Sequence, residues 1–190
     1  MASGDVPLSE HVREIVVNDF NGDGILDFFL ADTGWDTPPF PGFKNSLLLG
    51  NGTGFDNVTD RLPDIEDFTH SASSGDIDGD GDVDIPVANL NPTAEKISYF
   101  LINDGSANFT LDRLRLPDNF VDPASNGYQT SKAELADLDA DGFPDLIIGQ
   151  EFKTSPNVAP SRIYWNDGSG NFSEESPYVV KPSWTKLALI

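Results

Sequence analysis

Twelve oxygen-bearing side chains recur along this chain at fixed spacing. Asp19, Asn21, Asp23 and Asp27 stand in DFNGDGILD, Asp76, Asp78, Asp80 and Asp84 in DIDGDGDVD, and Asp137, Asp139, Asp141 and Asp145 in DLDADGFPD. Each nonapeptide reads D-x-[DN]-x-D-G-x-x-D, and their starts lie 57 and 61 residues apart. Side-chain oxygens at positions 1, 3, 5 and 9 suit a hard cation that takes six to eight oxygen ligands, which is Ca²⁺. Position 7 (Ile25, Asp82, Phe143) would contribute only its backbone carbonyl, so its side chain is free to vary. Gly24, Gly81 and Gly142 at position 6 permit the sharp turn. About three Ca²⁺ per chain are expected. The first site is expected to be the weakest, because Asn21 leaves three ligand charges there instead of four.

A helix–loop–helix calcium site shares the first positions of this spacing but closes with a carboxylate at position 12. Here position 12 is Leu30, Val87 and Ile148. A short β-like run follows each loop instead: Phe28–Ala31, Ile85–Ala88 and Leu146–Gly149. No amphipathic helix of ten or more residues flanks any loop. Isolated acidic Gly-Asp runs are often mere solvated turns, but three copies in register, each leading into a matched strand, behave as a repeat.

The elements that position these loops repeat as well. Downstream come LGNGTGF (49–55), INDGSANFT (102–110) and WNDGSGNFS (165–173). Asn-Gly and Asp-Gly between apolar runs are hairpin turns, because those residues tolerate positive φ. The runs Ser46–Leu49, Ile97–Ile102 and Ile163–Trp165 feed the turns, and Phe55, Phe109 and Phe172 start the returning strands. Each unit reads strand, acidic loop, strand, connection, strand, tight turn, strand. Four antiparallel strands in about 60 residues is one blade of a β-propeller. The expected fold is therefore all-β, with about three blades forming a partial or oligomer-completed propeller in a single domain over 1–190. Repeat 1 spans about 11–68, repeat 2 about 69–129 and repeat 3 about 130–182, with the start of a fourth blade at 183–190.

The acidic loop, the aliphatic strand after it and the N-D-G-S-x-N-F phrase together resemble FG-GAP/VCBS-type repeats, the family of integrin α-subunit propeller blades and of many bacterial secreted proteins. The resemblance covers nearly the whole chain. The literal Phe-Gly…Gly-Ala-Pro phrase is absent, which favours the bacterial branch. The resemblance implies a structural metal, held in a loop linking the first two strands of each blade.

Closed propellers have four to eight blades, and this chain holds three. The run Trp184–Ile190 resembles the strand that enters an acidic loop, as Glu14–Asn18 does before Asp19. Met1-Ala2-Ser3-Gly4 reads like an engineered start. These features suggest a piece of a longer propeller; the rival is a short natural chain that completes a ring by self-association. Either way the two terminal blade faces need cover, one expected near Val16 and Phe29, the other near Ile148 and Ile163.

The net charge is −21, and the eleven aspartates among the twelve ligand side chains account for about half of it. Three bound Ca²⁺ would bring the total to −15. The 11 basic residues are scattered, which argues against nucleic acid and anionic membranes, whose phosphates demand Lys/Arg clusters. No run of 18 apolar residues predicts membrane insertion. The absence of Cys excludes disulfides and thiolate metal sites. Several weakly binding calcium loops fill most readily outside the cytosol, so an extracellular or cell-surface location is expected. Four glycosylation sequons, at Asn51, Asn57, Asn108 and Asn171, read better as turn chemistry.

Catalytic constellations are thin. His11 and His70 are not a repeated feature, and neither has a sequence-evident partner. Glu66-Asp67 and Glu174-Glu175 are unremarkable in so acidic a chain. The insertions carry more information, because blades hold a constant scaffold and place recognition in variable loops. Gly34–Phe43 displays Trp35, Phe40 and Phe43, Asn119–Thr130 carries Phe120 and Tyr128, and Phe152–Pro160 is the third. Trp35, Phe40, Phe43 and Tyr128 suit stacking on sugar rings or capture of a protein partner, and equally suit pinning of their own loops. The function expected is a Ca²⁺-stabilised extracellular binding or adhesion module for a carbohydrate or protein ligand. The alternative is the propeller portion of a secreted carbohydrate-active or other hydrolytic enzyme.

Overall fold

The computed structural model describes residues 7–90, 97–116, 129–151, 161–172 and 178–180. Three four-stranded antiparallel sheets succeed one another along the chain. The first contains β1 (Val12–Asn18), β2 (Asp27–Asp32), β3 (Ser46–Gly50) and β4 (Phe55–Asn57). The second contains β5 (Thr69–Ala72), β6 (Ile85–Asn89), β7 (Tyr99–Asn103) and β8 (Phe109–Asp112). The third contains β9 (Gln129–Ala136), β10 (Asp145–Glu151), β11 (Ser161–Tyr164) and β12 (Tyr178–Val180). In every sheet the strands pair in sequence order, so each is a meander of the blade type. The expected all-β architecture of propeller blades is what the chain adopts. Residues 183–190 and Tyr128 lie outside the described residues.

β5 lies against both β1 and β9, so the first strands of the blades share the inner position. Four of their side chains join there. Lys132 of β9 donates to both carboxylate oxygens of Glu14 on β1 (2.7 and 2.8 Å) and pairs with Glu134 at 2.8 Å. Ser71 of the intervening β5 donates to Glu14 at 2.7 Å. The contacts lower the Glu14 pKa against the opposing effect of burial.

The period of two along each strand decides which blade a side chain meets. In the middle blade Ile85, Val87, Tyr99 and Leu101 pack against Val16, Phe29, Leu47 and Leu49 of the first blade. Their neighbours Ala88 and Phe100 face the opposite way, against Ala133, Leu146, Ile148 and Tyr164 of the third. Phe100 is fully buried and stacks on Phe172, ring centroids 5.2 Å apart. Both faces of this sheet are therefore apolar. The strand Tyr99-Phe100-Leu101-Ile102 reads as a continuous hydrophobic run for that reason, rather than an alternating one.

The terminal faces differ from expectation by one residue of register. Val16, Phe29 and Ile148 are buried and point toward the middle blade. The outward face of the first blade is built instead from Ile15, 56% exposed, with Val17, Phe28, Leu30 and Leu48. That of the third holds the half-buried Ile147 and Ile163. A one-residue step inverts the face of every strand residue, and sequence alternation alone does not say which face has a neighbour.

Truncating Phe100 removes a filled site between two blades, so Phe100→Ala is expected to cost about 3–5 kcal/mol. Ile15→Ala, on the outward face, should stay within about 0.5 kcal/mol. Urea unfolding of the two variants measures the contrast.

Candidate metal centre

Each acidic loop joins the first two strands of its blade, β1 to β2, β5 to β6 and β9 to β10. The turn is made by glycines at position 6 with φ of 84°, 94° and 98° (Gly24, Gly81, Gly142), a region that side-chain-bearing residues rarely enter. Position 1 holds the loop closed from inside. The Asp19 carboxylate accepts from the amides of Asp23 and Gly24, Asp76 from those of Gly79 and Gly81, and Asp137 from Gly142. Position 5 accepts from the amide of position 7: Asp23 from Ile25, Asp80 from Asp82 and Asp141 from Phe143, at 2.8–2.9 Å.

Position 9 is the buried member. Asp27, Asp84 and Asp145 are 0–1% exposed. Each takes one amide from position 2 of its own loop (Phe20, Ile77, Leu138) and one from the start of its blade's hairpin turn (Gly50, Asn103, Asn166), all at 2.8–3.2 Å. The aspartate thus ties loop to hairpin. Burial pushes the Asp84 carboxyl up to about 7, with the charges of Asp78 and Asp80 adding to the rise and the two amides opposing it. Asp27 is shifted the same way, chiefly by burial.

Positions 1, 3 and 9 converge. One oxygen from each of Asp76, Asp78 and Asp84 lies within 4.8 Å of the others, and Asp137, Asp139 and Asp145 repeat the arrangement. Oδ1 of Asp78 is buried without a hydrogen-bond partner. An all-oxygen anionic set with an orphaned acceptor fits a hard cation such as Ca²⁺. The first loop forms no such three-carboxylate group among the described residues, because its third position is Asn21, whose amide donates to Asp23 at 3.1 Å. Asp80 and Asp141 stand outside the two groups, and Ile25, Asp82 and Phe143 take part through the amides already named.

Three features escaped the sequence reading, and all three join neighbouring blades. The side-chain amide of Asn103 reaches back to the carbonyl of Phe20 in the preceding loop at 2.8 Å, and Asn166 does the same to Ile77 at 2.8 Å. The signal was visible in the recurring N-D-G-S phrase, where these asparagines pass for turn formers. Position 2 itself is a knob: Phe20 packs edge-on against Phe109 of the next blade at 5.9 Å, and Ile77 lies in one cluster with Phe172. Arg61 and Arg115, from the repeated R-L-P-D at 61–64 and 115–118, donate to the carbonyls of Ser106 and Ser169 in the next blade's turn (2.8 and 2.7 Å). Arg115 also pairs with Asp78 at 3.0 Å, placing a cation on a loop carboxylate.

Blade topology puts the connection from β2 to β3 at the rim opposite the acidic loops. Trp35 is 65% exposed there, beside an Arg13–Asp36 ion pair. Phe40 and Phe43 are half-buried, Phe40 lying edge-on to Phe68 at 5.3 Å. His70 sits 5.4 Å from Phe68, and the buried Asp67 accepts the Tyr99 hydroxyl at 2.5 Å.

A family model for FG-GAP-like repeats matches residues 19–87 and 137–189, well over half of the chain. The protein belongs to the FG-GAP-like repeat family, whose members build β-propeller-type modules and are often extracellular. No curated protein matches the chain. Among the described residues no helix is long and apolar enough to cross a membrane.

Two outcomes follow from the loop electrostatics. Asp84 keeps its proton in the metal-free fold to a higher pH than it does in the unfolded chain, so metal-free stability should fall as pH rises from about 4 to 7. A cation displaces that proton, so the melting-temperature gain from added Ca²⁺ should grow over the same interval; a gain independent of pH counts against it. Arg115 offsets one carboxylate of the second loop, so Arg115→Gln should raise Ca²⁺ affinity there several-fold and leave the third loop unchanged. Site-resolved NMR titration reads both loops.

Proposed function

We propose that the chain is a Ca²⁺-stabilised extracellular binding module whose metals are structural. The observation that carries this reading is the pair of three-carboxylate groups, Asp76/Asp78/Asp84 and Asp137/Asp139/Asp145, rooted on buried aspartates that also anchor each hairpin. Asp80 and Asp141 complete these sites from position 5, and the carbonyls of Asp82 and Phe143 from position 7. Asp19, Asn21, Asp23, Asp27 and the carbonyl of Ile25 form the corresponding site in the first blade, for about three Ca²⁺ in all. Bound Ca²⁺ supplies charge neutralisation, while the chain supplies the oxygens and the pinned turns.

Recognition falls to the opposite rim, where metal geometry does not constrain the sequence. Trp35 offers an exposed aromatic face with Arg13 and Asp36 beside it, a combination suited to a sugar ring or a protein side chain. Phe40 and Phe43 of the same insertion are half-buried, and Tyr128 is the candidate from the second insertion, Asn119–Thr130. The hydrolase alternative would require turnover at this rim.

Calorimetry should count about three Ca²⁺. A site held at a hundred times its Kd adds ~2.7 kcal/mol, and each ~1 kcal/mol moves Tm by about 2–4 °C in a domain of this size. Excess EDTA should therefore lower Tm by about 5–10 °C for each site emptied, and Asp141→Ala should reproduce one such step. A melting curve unchanged by EDTA would falsify the metal assignment. A glycan array with a parallel polysaccharide-hydrolysis assay tests the rim: binding abolished by Trp35→Ala without turnover supports the module, and turnover supports the hydrolase.

A further inference from the structure

Among the described residues the joint between blades is built twice, and both halves of a third joint stand open. In each completed joint a loop-position-2 side chain enters the hairpin region of the following blade. Phe20 meets Phe109, and Ile77 meets the cluster of Phe172. The third knob, Leu138, is 46% exposed. The third hairpin region is that of the first blade, where Phe55, the counterpart of Phe109 and Phe172, is 41% exposed. Around it lies an open cleft of about 550 Å³ lined by Ile25, Leu26, Phe28, Gly50, Gly52 and Phe55.

One residue distinguishes this vacant socket from the two filled ones. Gly50 stands where Asn103 and Asn166 stand in the later blades, since all three donate their amides to the position-9 aspartate. A Cβ at Gly50 would lie 2.5 Å from the Leu26 carbonyl and 2.6 Å from the Ile25 side chain, so no asparagine fits there. The first socket keeps the apolar half of the joint and lacks the amide that reaches back to the preceding loop.

We propose that this cleft is a docking site for a second copy of the chain, which inserts Leu138 of its third acidic loop against Phe55, Leu26 and Phe28. Knob and socket sit on opposite terminal faces, so the contact is heterologous, and two copies joined at both ends make a six-bladed ring. Ile15 and Val17 of one copy then face Ile147 and Ile163 of the other. Without the asparagine, the joint between copies is weaker than the two within the chain, so association is reversible and concentration-dependent. The proposal rests on blade geometry and not on the metal reading, and a calcium count leaves it untouched.

The chain has no cysteine, which makes cross-linking specific. Phe55→Cys and Leu138→Cys chains are prepared separately, mixed and oxidised in calcium-containing buffer. The expected result is a disulfide-linked pair forming at least tenfold faster than between Phe55→Cys and the control Asp64→Cys. Sedimentation velocity of the unmodified chain should show dimer increasing with concentration. Leu138→Asp, at an exposed position, should shift it to monomer with its melting profile retained. A chain that stays monomeric up to the highest soluble concentration, or cross-linking no faster than the control, overturns the proposal.

Discussion

A carboxylate buried at the root of every acidic loop is the constraint from which the blade follows. An ionised group removed from water is costly unless hydrogen bonds or a counter-charge replace its hydration. Asp27, Asp84 and Asp145 meet that demand with two backbone amides each, one from their own loop and one from the hairpin. The loop must curl for its second amide to point inward, and the third strand must reach the same height for its last amide to arrive. Two amides leave acceptor capacity on both oxygens. The group that organises the blade is thus also the one that turns toward Asp76 and Asp78, or Asp137 and Asp139, where a cation would complete the compensation.

The same construction carries order from one blade to the next. Position 2, whose amide serves the buried aspartate, sends its side chain into the following blade and offers its carbonyl to that blade's asparagine. Arg61 and Arg115 add a second tie to the next turn. A loop that loses its shape therefore loosens two blades, as expected of a repeat architecture in which stability is shared between units and their interfaces. At the inner strands the Glu14–Lys132 pair spans all three blades. Both side chains are partly exposed, so the pair sets the spacing of the strands more than it adds stability.

Blade architecture was legible in the sequence because its markers are local. The nonapeptide, the aliphatic run and the Asn/Asp-Gly turn each announce themselves within ten residues, and the strands fall where those runs lie. At the sequons Asn108 and Asn171 both side chains take part in the turn, donating to the aspartate four residues before them. What stayed hidden was relational. Nothing local tells that Val16 rather than Ile15 has a neighbouring blade, that Asn103 serves a loop 83 residues earlier, or that Arg115 pairs with Asp78. R-L-P-D occurs twice and was available as a repeat, but its spacing falls in connections of unequal length.

The two rims differ in how tightly their sequences are constrained. At the acidic rim, position, glycine and carboxylate recur with little latitude, because each atom there serves a turn. At the opposite rim the first insertion is irregular yet firmly held. Asp32 accepts amides from Glu10, His11 and Gly34, and added Cβ atoms at Gly34 and Gly42 would collide with backbone at 2.5 and 2.3 Å. Phe40 of the insertion lies edge-on to Phe68, whose ring is tilted against that of His70. A loop fixed in this way loses little conformational freedom when something binds to it, which removes one of the main costs of association. Trp35 is the large aromatic of that insertion left facing water, on a loop whose backbone is fixed at Asp32, Gly34 and Gly42.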